Sequence, residues 1–138
     1  MKNFISVGLG GSIGALARYF IYVPLNTYSP FPWGTLTVNL FGSFFLAFFL
    51  TIALRHFYHR STLVLAVSTG FTGSFTTFSA VSVEIVKLSS TYPALSLIYI
   101  GISFTAGLFL ALAGKHLGGI IATAIDKKIA TQEANGIE

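Results

Sequence analysis

Cysteine is absent from the 138-residue chain, which excludes disulfides and any cysteine-ligated metal site and leaves the redox compartment unreadable. Charge is scarce as well. Charged residues make up 9% of the chain, against about 25% in an ordinary soluble domain, and only four of them are acids. A soluble domain of this size cannot cover its surface with so little charge. The net charge of +4 comes with no basic cluster beyond Lys127–Lys128, so the basic face that nucleic acid requires is missing. Disorder is excluded in turn, because 54% of the residues are hydrophobic and a disordered chain is poor in them. The length suits one domain, residues 1–138, and not two. Together these absences define an integral membrane protein built from helices, with its few charges placed to flank the membrane.

Four stretches carry no charge at all: 3–17, 19–54, 61–83 and 88–114. A helix needs roughly 20 apolar residues to cross about 30 Å of hydrocarbon, so 19–54 is too long for one crossing. Pro24, Pro30 and Pro32, with Asn26 and Ser29, break it into a loop. Four transmembrane helices are predicted, at about 3–23, 33–54, 62–90 and 94–114. A polar tail covers 115–138 and frays from Asp126 onward. Tyr22, Tyr28, Trp33, Tyr58 and Tyr92 fall near the predicted helix ends, as an interfacial aromatic belt requires.

Lys2, the apolar run after it and Ala15-Leu16-Ala17 resemble a cleavable signal. The run is rich in glycine, however, and the hydrophobic segment continues past Arg18-Tyr19. Gly8-Leu9-Gly10-Gly11 invites a dinucleotide-loop reading, but Ile13 stands where the third glycine belongs and no strand precedes it. Close helix packing through a Gly10/Gly14 small-xxx-small pair explains these glycines better. No zinc-protease, serine-hydrolase or Walker motif is present. Asp126, Glu133 and Glu138 lie in the tail, His56 and His59 in a basic loop and His116 past the last span. This scatter predicts no enzyme, and nothing in the chain resembles an ATP site.

Polar residues inside the spans are costly and therefore informative. Thr35, Asn39 and Ser43, spaced i, i+4, i+8, share one narrow helix face, and Phe41, Phe44, Phe45, Phe48 and Phe49 occupy the other side. Two accounts fit this pattern. In one, Thr35 and Ser43 bond back to their own helix and Asn39 joins helices. In the other, the stripe is a track for a solute that needs hydrogen-bond donors. In the third span, residues 69–79 hold two glycines and six hydroxyls, a composition poor in helix propensity. A break there, mid-membrane, frees carbonyls, which are hard ligands suited to a cation such as Na⁺. A kinked but continuous helix is the simpler alternative. Tyr99, Ser103 and Gly107 form a further i+4 face on the fourth span. Arg18 and Glu84 are the ionisable residues within spans, and Arg18 is long enough to snorkel to the interface.

At this point the chain resembles a known family. Gly10-Gly11-Ser12-Ile13-Gly14-Ala15-Leu16-Ala17-Arg18-Tyr19 resembles the GGxxGAxxRY motif of the Fluc/CrcB fluoride channels. Trp33-Gly34-Thr35-Leu36-Thr37-Val38-Asn39-Leu40-Phe41-Gly42-Ser43-Phe44 resembles their GTLxVNxxGSF motif, and the segment from Gly70 to Ser79 their GxxGxxTTFS motif. The resemblance implies a fluoride-specific, passive channel subunit that lets cytoplasmic fluoride leave the cell through the plasma membrane. It implies an antiparallel, dual-topology dimer with two pores and a structural Na⁺ at its centre, held by carbonyls at Gly73 and Thr76. Carried over by motif position, Asn39 donates to fluoride and Phe78 is the first pore phenylalanine, with Thr77 and Ser79 as adjoining polar positions. Tyr99 and Ser103 match a polar track on the fourth helix, and Arg18 and Glu84 match recurring ionisable positions.

The implied chemistry is coherent. Fluoride is small and strongly hydrated, so amide and hydroxyl donors must replace its water shell, while conduction requires that each site hold it weakly. Aromatic edges carry partial positive charge, and a central Na⁺ adds a fixed positive field. Two features depart from the family pattern. Val81 stands where a second pore phenylalanine is usual and lacks a polarised edge. Lys2, Arg55, Arg60, Lys115, Lys127 and Lys128 fall on one predicted side, against Arg18 and Lys87 on the other. That bias predicts cytoplasmic termini and leans toward a paralogous partner of opposite orientation rather than a second copy of the chain. Two rivals compete. A small proton-coupled exporter of cationic drugs needs a glutamate early in its first helix, and none is there. A non-conducting partner subunit accounts for Val81 but not for Asn39 beside Thr35 and Ser43.

Overall fold

A computed structural model of the chain describes residues 1–27, 29–57 and 60–135; the expectations for Tyr28, Tyr58 and His59 lie outside these residues. The charge-free runs form four helical passes long and apolar enough to cross a membrane. The first is α1 (Lys2–Asn26) and the second α2 (Trp33–His56). The third joins α3 (Ser61–Leu65), a π-helical stretch (Ala66–Thr72), α4 (Gly73–Phe75) and α5 (Phe78–Thr91). The fourth is α6 (Pro93–Asn135). The 25 residues of α1 reach about 38 Å at 1.5 Å per residue, more than the hydrocarbon thickness. Its outer face is apolar, with Phe4, Leu9, Ile13, Leu16 and Phe20 exposed, as a lipid-facing surface must be.

The passes alternate in direction. At one end Thr62 donates to Asn3 (2.6 Å) and Arg55 pairs with Asp126 (3.4 Å). At the other, Asn26 accepts from the Gly34 amide (2.6 Å) and reaches Glu84 (3.4 Å). Packing is close because glycines remove side chains where helices cross. A Cβ on Gly10 would run into the Ala66 carbonyl, one on Gly14 into the Phe71 carbonyl, and one on Gly70 into Val7 in return. The Gly10/Gly14 pair therefore has the packing role read from its spacing. On the far side, Gly114 and Gly118 lie against the backbone of Phe44 and Phe48. Of the α2 phenylalanines, Phe41 is exposed, Phe44 stacks on Phe48 of the same helix (5.9 Å), and Phe45 meets Phe71 of the third pass edge-on (5.7 Å).

Two boundaries differ from expectation. Pro24 lies inside α1, which continues to Asn26; a proline this close to the C-terminal end costs only one backbone bond. More substantially, the fourth helix does not stop at Gly114 and does not fray at Asp126, because α6 runs unbroken to Asn135. Polar composition ends an apolar span without ending a helix. No proline interrupts 115–135, Gly118 and Ala122 are buried, and Asp126 is tied to Arg55 and His56.

Candidate functional site

The polar residues of the spans gather into two clusters. The first is centred on Glu84 of α5. One carboxylate oxygen accepts from Thr35 of α2 (2.6 Å) and from the Asn26 amide of α1 (3.4 Å); the other accepts from the Tyr99 hydroxyl of α6 (2.8 Å). Thr35 and Tyr99 are fully buried. A half-buried carboxylate needs hydrogen bonds to replace lost water, and here all four passes contribute a residue. Thr35 thus spends its hydroxyl on Glu84 and not on its own helix. Asn26 is a member of this cluster that its position in a proline-rich loop did not reveal.

The second cluster surrounds Thr76 and Thr77, whose backbones are extended (φ −85°, ψ 161° and φ −153°, ψ 122°). The Asn39 side chain clasps Thr77 from both sides: its amide donates to the Thr77 carbonyl (2.9 Å), and its oxygen accepts from the Thr77 N–H (2.8 Å). A continuous helix would give that N–H to the Gly73 carbonyl. Likewise the Ala80 N–H, which would go to the Thr76 carbonyl, is donated to the Thr77 hydroxyl (3.2 Å). Asn39 and Thr77 thereby remove the usual helical donors from the Gly73 and Thr76 carbonyls, three residues apart. The second N–H of the Asn39 amide has no partner among the described residues. Ser43 donates back to the Asn39 carbonyl (2.8 Å), as the simpler account of the α2 stripe expects. The Ser103 hydroxyl oxygen on α6 is buried and has no partner among the described residues.

Two open concavities meet at Thr77. The smaller, 260 Å³, has Asn39, Ser43, Thr72, Thr76, Thr77 and Phe78 in its wall, and Phe78 is 77% exposed. The larger, 560 Å³, is walled by Arg18, Tyr22, Thr77, Ser79, Glu84 and Lys87 among others. The Thr77 and Ser79 hydroxyls are 3.2 Å apart. Arg18 and Lys87 bring two positive charges to this wall, and Glu84 is already hydrogen-bonded on both oxygens. Lys87 was expected only as a flanking charge. Val81 stands apart from both concavities, buried in an apolar cluster with Phe31, Leu36, Leu88 and Tyr99. Gly73 is exposed, with open space where a Cβ would be. Among the described residues no three His, Asp or Glu side chains converge as a metal site.

These features define a small four-pass membrane protein whose polar groups are gathered between its helices along one seam. A family described as CrcB-like protein, Camphor Resistance (CrcB), matches residues 5–115, and the chain belongs to that family. Over 119 residues it is 41% identical to a Thermosipho melanesiensis protein named fluoride-specific ion channel FluC, covering 84% of this chain and 95% of that one. A Bacillus cereus relative named fluoride-specific ion channel FluC 1 is 38% identical over 121 residues, with 86% and 84% covered. One from Carboxydothermus hydrogenoformans, named fluoride-specific ion channel FluC 2, is 41% identical over 123 residues, with 89% and 86% covered. Those names are names of channels, in agreement with the reading that the chain is not an enzyme.

Proposed function

We propose that the chain is a subunit of a passive, fluoride-specific channel that lets cytoplasmic fluoride leave through the plasma membrane. One observation carries the reading: in a member of this family, Asn39, Thr77 and Phe78 share a single concavity, and Thr77 connects it to a second one bearing Arg18 and Lys87. The two cations draw the anion in. Donors then replace its water: the Thr77 and Ser79 hydroxyls, the spare Asn39 N–H and the unpartnered Ser103 hydroxyl. The Phe78 ring edge offers weak positive character without trapping the ion. Thr35 and Tyr99 hold Glu84 in place, so its carboxylate does not project toward the anion.

The assembly is an antiparallel dimer with a structural Na⁺ at its centre. The donor set suits a hard cation. The interrupted third pass leaves the Gly73 and Thr76 carbonyls without their helical donors, and Gly73 is exposed for a partner to approach. Two oxygens from each of two chains would give the ion four. Lys2, Arg55, Arg60, Lys127 and Lys128 all flank the end that holds Asn3, Thr62 and Asp126. This supports one orientation, termini cytoplasmic, beside a paralogous partner; numbered names such as FluC 1 and FluC 2 among the relatives are in keeping with it. The test is fluoride efflux from liposomes, measured with an electrode, for the chain alone and with a co-expressed paralogue. Efflux of fluoride but not chloride is expected in at least one arm. No efflux in either arm refutes the channel reading.

A further inference from the structure

A groove of 730 Å³ runs along α6 outside the polar seam, with Arg55, Lys115, His116 and Lys127 on its rim and Leu112 and Ile120 in its wall. Its floor is Gly119, where a Cβ would meet nothing within 4 Å. Residues three and four apart are neighbours on a helix, so Gly119 is a notch framed by Lys115, His116 and Thr123. Asp126 is the one acid at this end with partners, and it is taken by Arg55 (3.4 Å) and His56 (2.8 Å). Lys115, His116 and Lys127 have no carboxylate partner among the described residues. The Thr123 hydroxyl accepts from Arg55 (3.1 Å) and donates to its own helix, so Arg55 is already engaged and Lys115, His116 and Lys127 are the rim groups without a carboxylate. Toward the span the groove turns apolar: Leu112 lines it, and Leu108, one turn further in, is more than half exposed, as Leu112 is.

We propose that this groove binds the phosphate headgroup of an anionic phospholipid, with acyl chains lying along Leu108 and Leu112. Charge complementarity identifies the headgroup, since Lys115 and Lys127 meet a phosphate as point charges. Depth identifies the lipid. Lys115 follows Gly114, which packs against Phe44 and Phe48 within α2, while Thr123 and Asp126 meet Arg55 near the end of α2, so the groove climbs from inside the spans to their end and lysine stems snorkel outward along it. A lipid phosphate already resides at that level, whereas a free anion would have to leave water to reach it. Basic pockets between transmembrane helices are suited to such headgroups.

The test uses the full chain in detergent. Thermal unfolding and native mass spectrometry would follow titration with phosphatidylglycerol, with phosphatidylcholine of the same acyl chains, and with inorganic phosphate. Phosphatidylglycerol should stabilise the protein and remain bound, and phosphatidylcholine should do so far less. Lys115→Gln and Lys127→Gln should each weaken the phosphatidylglycerol affinity about fivefold. Gly119→Leu, which fills the notch without changing charge, should abolish the preference. Lys127→Gln lies beyond the spans, so its effect can be read even where a variant within the groove folds poorly. Equal stabilisation by the two lipids overturns the proposal, as does a preference that survives both Lys127→Gln and Gly119→Leu. Inorganic phosphate that reproduces the whole shift overturns the lipid assignment in favour of a free-anion site.

Discussion

Asn39→Ala separates two things that one side chain is asked to do. The amide holds Thr77 through two hydrogen bonds, at 2.9 and 2.8 Å, and in the proposed pore its spare N–H meets the anion. Interhelical hydrogen bonds in membranes are worth about 0.6 kcal/mol on average and up to about 1.7. Loss of both should therefore cost about 1–3 kcal/mol of stability. Part of that returns if the freed Thr77 N–H bonds to the Gly73 carbonyl instead. Loss of a donor to an anion stripped of its water shell acts on the rate, at about tenfold for each 1.4 kcal/mol. Fluoride efflux per folded protein should fall at least about tenfold, beyond what loss of folded protein explains. The assay pairs electrode-monitored efflux, at matched protein density, with thermal unfolding of the same preparation. Asn39→Asp is the comparison, since it keeps an acceptor for the Thr77 N–H but removes the donor, and it should lose efflux as well. Efflux unchanged in Asn39→Ala removes Asn39 from the pore; efflux that falls only in step with folded protein leaves it a clamp alone.

Gly14→Leu should drive α1 from the Phe71 carbonyl and cost about 1–3 kcal/mol or more, read as a lower unfolding midpoint, whereas Gly8→Ala, with open space around it, should be near neutral. Tyr99→Phe takes a donor from a half-buried carboxylate and should destabilise by about 1–3 kcal/mol with reduced efflux; normal stability would show that Glu84 is held adequately without it. Replacing all Na⁺ by a bulky organic cation should abolish efflux and lower stability, and no change in either rules out the site at Gly73 and Thr76. The absence of cysteine permits labelling of Ser61→Cys and Ser89→Cys, both exposed positions, in intact cells with an impermeant thiol reagent. One orientation with cytoplasmic termini gives labelling at Ser89→Cys only, and strong labelling at both refutes it.

The four passes were readable because charge-free run length against hydrocarbon thickness is a one-dimensional property. So was the close approach at Gly10 and Gly14, where only small residues fit. Two kinds of feature were not readable. The end of α6 was missed because apolarity was taken as a proxy for helix, whereas the continuation past Gly114 rests on contacts with Phe44, Phe48 and Arg55, some 70 residues earlier in the chain. The partners of the polar residues were also hidden. Thr35, Asn39 and Ser43 share a stripe, yet Thr35 bonds to Glu84, Asn39 to the Thr77 backbone and Ser43 to its own helix. Periodicity assigns a face to a side chain but not a partner. Asn26 illustrates this most plainly, since a residue among loop prolines bonds to Gly34 and Glu84 at once.

The glycine contacts on either side of the seam bear on how freely its chemistry can change. Gly10, Gly14 and Gly70 set the spacing of one helix pair, and Gly114 and Gly118 that of the other, each by main-chain contact. Distances fixed by backbone atoms do not depend on which side chains stand between them. A substitution within the seam, at Ser43, Ser103 or Phe78, therefore changes donors, acceptors, ring edges and side-chain bulk while the spacing of the helices stays the same. A change at a glycine shifts the helices while those side chains stay the same. Helix spacing and seam chemistry are thus carried by separate residues, and each can drift without dragging the other along.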